Sequence, residues 1–217
     1  DDICNGAVDN ATGTAALLAL AEMNSKAGPA ERSMVFIAFT AEESYLLGAD
    51  VYAASPVFPL EKTVGGVNMD SMLPMPPARN VAMFGRGKSE LDAYLDRALA
   101  KLGRVNTPDP APERGSYYRS DHFTLAKRGV PMMFLRSGED LVDGGEARGK
   151  ALVNDYIQNR YHNPKDEFDP NWNWDGIAQD IQLYYAVGRE LATTTDWPNW
   201  AEQDEFRATR DRSRRGK

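Results

Sequence analysis

Residues 33–43 read Ser-Met-Val-Phe-Ile-Ala-Phe-Thr-Ala-Glu-Glu, an apolar run that ends in two adjacent carboxylates. A nearly continuous apolar run of strand length is typical of a strand buried on both faces, as in a parallel sheet covered by helices. Along the rest of the chain, similar runs alternate with helical patterns. We therefore predict an α/β fold, a doubly wound and mostly parallel sheet with helices on both faces.

The other elements follow from the same reading of apolar runs, caps and breakers. Besides residues 33–40, strands are predicted at residues 63–68, 80–84 and 131–135. Helices are predicted at residues 10–26, 41–54, 89–102 and 174–192, with a short one that follows Ser120-Asp121-His122 and reaches Lys127.

Composition limits the classes of protein and partner. The chain has 217 residues, 42% of them hydrophobic, which suffices for one α/β domain with a sizeable core. Its net charge of -7 speaks against nucleic acid as a partner. No apolar run approaches the length of a membrane span, so we expect no membrane insertion. The single cysteine, Cys4, excludes an internal disulfide, which fits the cytosol without excluding the periplasm.

The C-terminal end of the sequence is basic, with six Lys or Arg residues between 207 and 217. In a chain of acidic composition, such a run is typical of a frayed, solvated tail rather than of a nucleic-acid site. We therefore predict a catalytic domain over residues 1–195 and a C-terminal extension or tail over residues 196–217.

Carboxylates recur where predicted strands end or helices begin. Glu42 and Glu43 follow the apolar run, Asp70 closes the next strand, and Asp9 precedes the first helix. Sites in open α/β sheets gather beyond the carboxyl ends of the strands. A single acid at such a place is more often a helix cap, favoured by about 0.3–1 kcal/mol. Three such places in one chain favour a bound cation, because burial penalises an unpaired carboxylate.

Histidine supplies the second indication of a metal. The chain contains two, His122 and His162, and both lie in polar segments beside acids. A lone loop histidine is usually only solvated, but His162 opens a rigid polar turn that is suited to presenting a ring nitrogen. Carboxylates with one imidazole suit Zn²⁺ and would also accept Mn²⁺ or Co²⁺. Adjacent Glu42 and Glu43 point about 100° apart at a helix start, so one can bind metal while the other takes a proton from water.

Five short motifs together resemble the M28 family of zinc aminopeptidases, and they occur in the order in which that family has them. The matches extend from about residue 3 to residue 192. The motifs are Gly-Ala-Val-Asp-Asn-Ala-Thr-Gly at 6–13, Phe-Thr-Ala-Glu-Glu at 39–43 with Leu-Gly-Ala at 47–49, Asn-Met-Asp at 68–70, Ser-Asp-His at 120–122, and Tyr-His at 161–162 with Asp166.

The resemblance implies a role for each matching residue. Asp9 resembles the carboxylate that bridges two zinc ions. Glu43 and His162 resemble the remaining protein ligands of one ion, and Asp70 resembles a ligand of the other. Glu42 resembles the general base that activates a metal-bound water. The implied reaction is hydrolysis of an N-terminal peptide bond, with peptide or protein N-termini as substrates.

Five further residues are considered under the same resemblance. Tyr117 or Tyr118 lies where family members place a tyrosine that stabilises the oxyanion, and the sequence does not decide between them. Asp121 and Asp166 are expected to support the ligands rather than to bind metal directly. His122 is expected to be structural.

One departure from the family pattern concerns the second metal. Family members carry a His-x-Asp element on a strand upstream of the Gly-Ala-x-Asp-Asn motif, and its histidine completes the second site. We expect the catalytic domain of this chain to lack that N-terminal strand, so one or two Zn²⁺ are expected with the second site incomplete. The full-length protein is expected in the periplasm or outside the cell, with the cytoplasm not excluded. Activity of these 217 residues alone is left open.

Three other functions remain open at this stage. Glutaminyl cyclases resemble this family and use one zinc ion, and a carboxypeptidase is a further variant of the same chemistry. Non-catalytic scaffold relatives have lost their metal ligands, whereas Asp9, Glu42, Glu43, Asp70 and His162 are all present in this sequence. The sequence defines neither the preferred substrate residue nor the oligomeric state.

Overall fold

A mixed four-stranded sheet forms the centre of the protein, in a computed structural model that describes residues 5–215. The strand order is β1-β4-β2-β3. Strand β4 is parallel to β1 and antiparallel to β2, and β2 is parallel to β3. The strands are β1 (Gly66–Asn68), β2 (Asn80–Phe84), β3 (Val105–Thr107) and β4 (Met132–Ser137).

Seven α-helices accompany the sheet in the part of the chain that the structure describes. They are interspersed with the strands along the chain and surround the sheet, and the α/β class predicted from the sequence is confirmed. The helices are α1 (Gly13–Lys26), α2 (Leu47–Ala54), α3 (Leu91–Leu102), α4 (His122–Lys127), α5 (Gly145–Asn159), α6 (Asp175–Thr193) and α7 (Arg207–Arg214). Within residues 5–215, none of the helices has the length and apolar character needed to cross a membrane.

The main core lies between one face of the sheet and helices α1, α3 and α6. Helix α3 contributes Leu91, Leu95 and Leu99, which recur every four residues and so share one face of the helix. Met83 of β2 points into this core, whereas its neighbour Phe84 packs on the opposite side of the sheet. That alternation is the two-residue period of a strand, so both faces of the sheet are covered.

The predicted strand at residues 33–40 is wrong, because these residues belong to no sheet in the structure. An open cavity of about 640 Å³ lies between this segment and β1. A strand is defined by a ladder of hydrogen bonds to a neighbour, and across this gap no neighbour is within reach. Val35 and Phe36 consequently remain 46% and 36% exposed.

The expectation of a solvated C-terminal tail is also wrong. The last described residues form α7, and the side chains of Trp200 and Arg210 are almost fully buried. The Trp200 indole N–H donates to the carbonyl of Gly129 at 2.9 Å. The Arg210 guanidinium donates to the carbonyls of Thr63 and Val64 at 2.9 and 3.1 Å. Residues 196–215 are therefore part of the folded unit.

Replacing Trp200 by Ala should destabilise the domain by about 3–5 kcal/mol, because it empties a fully buried site and leaves the Gly129 carbonyl without its donor. Urea unfolding followed by circular dichroism measures the change. Trp174→Ala is the matched control, since that indole is 42% exposed, and it should cost much less. If Trp200→Ala lowered the free energy of unfolding no more than Trp174→Ala does, the C-terminal segment would contribute little to the stability of the fold.

Candidate metal centre

Four separate stretches of chain bring the predicted metal-site residues to one place. Asp9 lies in the distorted turn before α1, and Glu43 lies in the turns that precede α2. Asp70 follows β1 by two residues, and His162 comes after the end of α5. The strand β1 and the ends of three helices therefore position these side chains, as expected for a site at the carboxyl end of a sheet.

Asp9, Glu43 and His162 form a group with the geometry of a metal site. The Nε2 atom of His162 is 2.9 Å from Oε1 of Glu43 and 3.4 Å from Oδ2 of Asp9. The three ligand atoms all lie within 4.8 Å of one another. A tetrahedral zinc ion with bonds of about 2.0–2.2 Å holds its ligands roughly 3.3–3.6 Å apart. The donor set fits zinc if the contact between His162 and Glu43 lengthens by about half an ångström.

A buried carboxylate holds Asp9 in place. Asp166 is 3% exposed, and its carboxylate accepts the backbone N–H groups of Val8 and Asp9 at 3.0–3.1 Å. The backbone N–H of Ala7 donates to the Asp166 carbonyl at 3.0 Å. Asp166 lies four residues after His162, so it links the loop of one predicted ligand to the loop of another. The indirect role of Asp166 in support of the metal ligands stays a prediction.

Backbone strain is concentrated beside the predicted ligands. Ala41, Ser71 and His162 have φ angles of 56°, 51° and 52°, in the left-handed region that non-glycine residues rarely adopt. Ala41 precedes Glu42, and Ser71 follows Asp70. Each such residue costs of the order of 1–3 kcal/mol and persists when the surrounding structure holds it, most often at functional sites.

Asp70 lies beside the three-residue group but is not a member of it. Its carboxylate accepts the Ser120 hydroxyl at 2.7 Å and the Ser71 hydroxyl at 3.3 Å. The Ser120 hydroxyl in turn accepts from the Asn68 side chain at 2.8 Å. The Ser-Asp-His motif therefore contacts the site through its serine. The role of Asp70 as ligand of a second ion stays a prediction.

Burial, and after it charge repulsion, makes Glu42 the acid of the site whose pKa is raised furthest. Burial, followed by the charges of Asp70, Glu43 and Asp121, raises the pKa of Glu42 to about 8. Burial and the charges of Asp70 and Glu43 raise the pKa of Asp9 to about 6, against a lowering by His162. A cation among these carboxylates would relieve the repulsion, which is the electrostatic condition of a metal site.

Asp121 belongs to the same acidic neighbourhood. Burial and the charge of Asp70 raise the pKa of Asp121 to about 6. Its Oδ1 atom is buried and has no hydrogen-bond partner among residues 5–215. The structure therefore brings Asp121 beside Asp70 and Glu42, and a supporting role stays its prediction.

The two candidate oxyanion tyrosines face another part of the molecule. Tyr117 is buried against the ring of His122, with ring centroids 4.8 Å apart, and burial raises the pKa of its hydroxyl. The Tyr118 hydroxyl donates to Glu205 at 2.8 Å. Both rings also lie about 5.3–5.4 Å from the Lys88 ammonium. In the described structure neither hydroxyl bonds to a predicted metal ligand, and the oxyanion role stays a prediction.

His122 is buried and packed, as predicted for a structural residue. It is 1% exposed and lies against the rings of Tyr117 and Phe134. Burial lowers its pKa to about 3, so the ring is neutral. Its surroundings are aromatic rather than acidic.

Tyr161 is the site residue that sequence reasoning did not select. Its ring stacks on the imidazole of His162, with centroids 3.9 Å apart and planes at 25°. Burial and the charges of Asp9 and Glu43 raise the pKa of its hydroxyl to about 12. Its position beside His162 in the Tyr-His motif was the available signal.

Two carboxylates and an imidazole converging on an α/β sheet, with a further acid beside them, define a candidate metallohydrolase. The family model for Peptidase family M28 matches residues 1–186, and the chain belongs to that family. The protein is therefore a peptidase and a hydrolase, of a family whose members are generally zinc-dependent. A search of curated proteins found no match.

Replacing Asp166 by Asn should weaken zinc binding by about 10–100-fold, because the negative charge is lost and one of the two oxygens that face the Val8 and Asp9 N–H groups becomes an NH₂ donor. Competition with a chromophoric chelator measures the zinc Kd. Asp143→Asn, at a carboxylate that is 86% exposed, is the control and should leave the Kd unchanged. A Kd for Asp166→Asn equal to that of the control would exclude Asp166 from supporting the site.

The metal-free protein should become less stable as pH rises from about 5 to 8. A raised carboxyl pKa means that the folded chain keeps a proton that the unfolded chain releases, so stability falls with rising pH until Glu42 has ionised in the folded state. Calorimetry in the presence of a chelator should show that the Tm of the parent protein falls over this pH range. The fall in Tm should be smaller in Glu42→Gln. In the control Glu31→Gln, at an exposed site, the fall should equal that of the parent. If the Tm of Glu42→Gln fell with pH as steeply as that of the parent, Glu42 would not be the group with the raised pKa.

Proposed function

We propose that this chain is the zinc-binding catalytic domain of an aminopeptidase that hydrolyses N-terminal peptide bonds. The observation that carries the proposal is the convergence of Asp9, Glu43 and His162, within 4.8 Å, beside the carboxyl of Glu42. Family membership supplies the reaction class. The three grouped residues would hold one zinc ion, and Asp70 with Asp9 would hold a second.

Glu42 is suited to the transfer of protons. When bound, zinc polarises the peptide carbonyl and lowers the pKa of a water molecule. Glu42 lies next to Glu43 in the chain but is not one of the three grouped ligands. Burial and neighbouring carboxylates raise the pKa of Glu42, and a cation would lower it again, which brings the pKa towards neutral pH. In the proposed reaction Glu42 accepts the proton of the attacking water and delivers it to the departing amine.

A tyrosine hydroxyl would donate to the oxyanion that forms during the attack. The sequence favours Tyr117 or Tyr118 for this role. Tyr161 is a third candidate, because its ring stacks on His162 and its hydroxyl is close enough to Asp9 and Glu43 to be affected by their charges.

The charge of the site favours a substrate with a free amino terminus. Glu42 and Asp121 add carboxyl groups beside the candidate ligands, so a substrate ammonium would be attracted and a terminal carboxylate would be repelled. This asymmetry supports an aminopeptidase over a carboxypeptidase. It does not separate an aminopeptidase from a glutaminyl-cyclase-like acyltransferase, whose substrate also carries a free amine.

Replacing Glu42 by Gln should lower turnover by about 10²–10⁴-fold with zinc content unchanged, since the amide cannot accept the proton. Glu43→Gln should lower zinc content and turnover together, because Glu43 belongs to the grouped ligands. Metal analysis beside initial rates on Leu-p-nitroanilide separates the two effects. Full activity in Glu42→Gln would show that Glu42 is not the group that accepts the proton.

A substrate panel tests specificity. Leu-p-nitroanilide should be cleaved, whereas its N-acetylated form and a peptide with a blocked amino terminus and a free carboxyl terminus should not. An N-terminal glutaminyl peptide should be hydrolysed rather than cyclised, as mass spectrometry can show. Cyclisation would indicate a glutaminyl-cyclase-like acyltransferase, and cleavage of the blocked peptide would indicate a carboxypeptidase.

A further inference from the structure

We propose that Lys88 is a positioning residue for the candidate peptidase site. Its ammonium group holds the loop of residues 115–121 in place, together with residues 199–206 of the C-terminal segment. One side of this loop contacts the candidate site and the other side contacts Lys88. The inference rests on the proposed function, because it concerns how that site is held.

The end of the loop contributes two side chains to the candidate site. The Ser120 hydroxyl donates to the Asp70 carboxylate at 2.7 Å. Burial raises the pKa of Glu42, and the charge of Asp121 adds to the rise, so Asp121 lies close to that carboxyl. A displacement of the loop would therefore move both groups at once. Shifts of about 1 Å that begin far from the chemistry can lower a rate by 10²-fold.

The middle of the loop packs on the Lys88 ammonium. The Nζ atom of Lys88 lies 5.3 Å from the ring centroid of Tyr117 and 5.4 Å from that of Tyr118. The ring of Phe206, from the C-terminal segment, lies at 5.3 Å from the same atom. A cation within about 6 Å of a ring centroid is attracted by the ring, and the attraction is stronger where water is excluded. Three rings from two segments of the chain therefore meet at one charge.

Two carboxylates of the C-terminal segment fix the ammonium among these rings. Lys88 Nζ pairs with Asp204 at 3.0 Å and with Glu205 at 3.1 Å, and the side chain of Asp204 is only 5% exposed. The Tyr118 hydroxyl donates to the same Glu205 at 2.8 Å. Removing the ammonium would leave the buried Asp204 without its cation, which is costly and would disturb the segments that meet there.

The backbone around Lys88 is itself joined to the C-terminal segment. The Ala201 N–H donates to the carbonyl of Lys88 at 2.7 Å, and the Glu90 N–H donates to the carbonyl of Asn199 at 2.9 Å. Within residues 5–215, no hydrogen bond or ion pair joins Lys88 to a candidate metal ligand, so any effect of Lys88 on the site passes through the loop. The family model matches residues 1–186, so the partners that hold Lys88 lie outside the match.

The test compares Lys88→Met, which removes the charge of a long side chain, with Lys88→Arg, which keeps the charge. In folded Lys88→Met, kcat/KM on Leu-p-nitroanilide should fall by about 10–10²-fold with a raised KM, because a displaced loop would move Asp121 away from the substrate ammonium. Lys88→Arg should recover most of this loss. Hydrogen exchange at residues 116–121 should become about tenfold faster in Lys88→Met.

Lys127→Met is the matched control. The Lys127 ammonium also lies over a ring, that of Phe123 at 4.9 Å, and also pairs with a carboxylate, that of Asp50 at 3.6 Å. Lys127 is at the other end of α4 from the loop. Its replacement should leave both the KM and the exchange at residues 116–121 unchanged.

Two outcomes would overturn the proposal. One is a folded Lys88→Met whose Tm falls while its KM equals that of the parent, because Lys88 would then contribute to stability alone. The other is unchanged exchange at residues 116–121. If Lys88→Met does not fold, Glu205→Ala decides by the same two readouts, since that side chain is 52% exposed. A parent protein without peptidase activity would instead contradict the proposed function, and the exchange measurement would still show whether Lys88 holds the loop.

Discussion

Mutual repulsion among closely spaced and mostly half-buried carboxylates is the constraint on which the candidate site depends. Asp9, Glu42, Glu43 and Asp70 approach one another from three loops, and His162 supplies the imidazole. Burial would normally drive such acids apart or protonate them. A structure that brings them together, with left-handed backbone at or beside three of these residues, has the electrostatics of a site that could hold a cation. Zinc is the ion that this donor set and the family suggest.

The fold supplies that arrangement through few direct contacts. The Asp166 carboxylate ties the Asp9 turn to the His162 loop, and Ser120 ties Asp70 to the start of α4. Both links join segments that are far apart in sequence, as expected where loops meet at the end of a sheet. The core between the sheet and helices α3 and α6 lies beneath them and contributes stability rather than chemistry.

The sequence predicted the α/β class and the elements with strong patterns, such as β2 and α6, because their apolar periodicity is decided locally. It failed at residues 33–40, where pairing depends on a neighbour that the segment itself does not contain. It also missed α5, because the glycines and charged residues of this segment hide the apolar periodicity of a helix. It predicted a solvated C-terminal segment, because the burial of Arg210 depends on carbonyls nearly 150 positions earlier in the chain. The convergence of Asp9, Glu43 and His162 was predictable from the ordered motifs. The orientation of the two tyrosines at 117 and 118 was not predictable, because it depends on their contacts with Lys88 and Glu205.

X-ray absorption at the zinc edge of the loaded chain tests the central claim most directly. The account predicts a first shell of nitrogen and oxygen ligands at about 2.0–2.2 Å with the outer-shell scattering of one imidazole, and loss of that imidazole signal in His162→Ala. An imidazole signal that survives in His162→Ala, or a shell made of water oxygens alone, would show that Asp9, Glu43 and His162 do not share an ion.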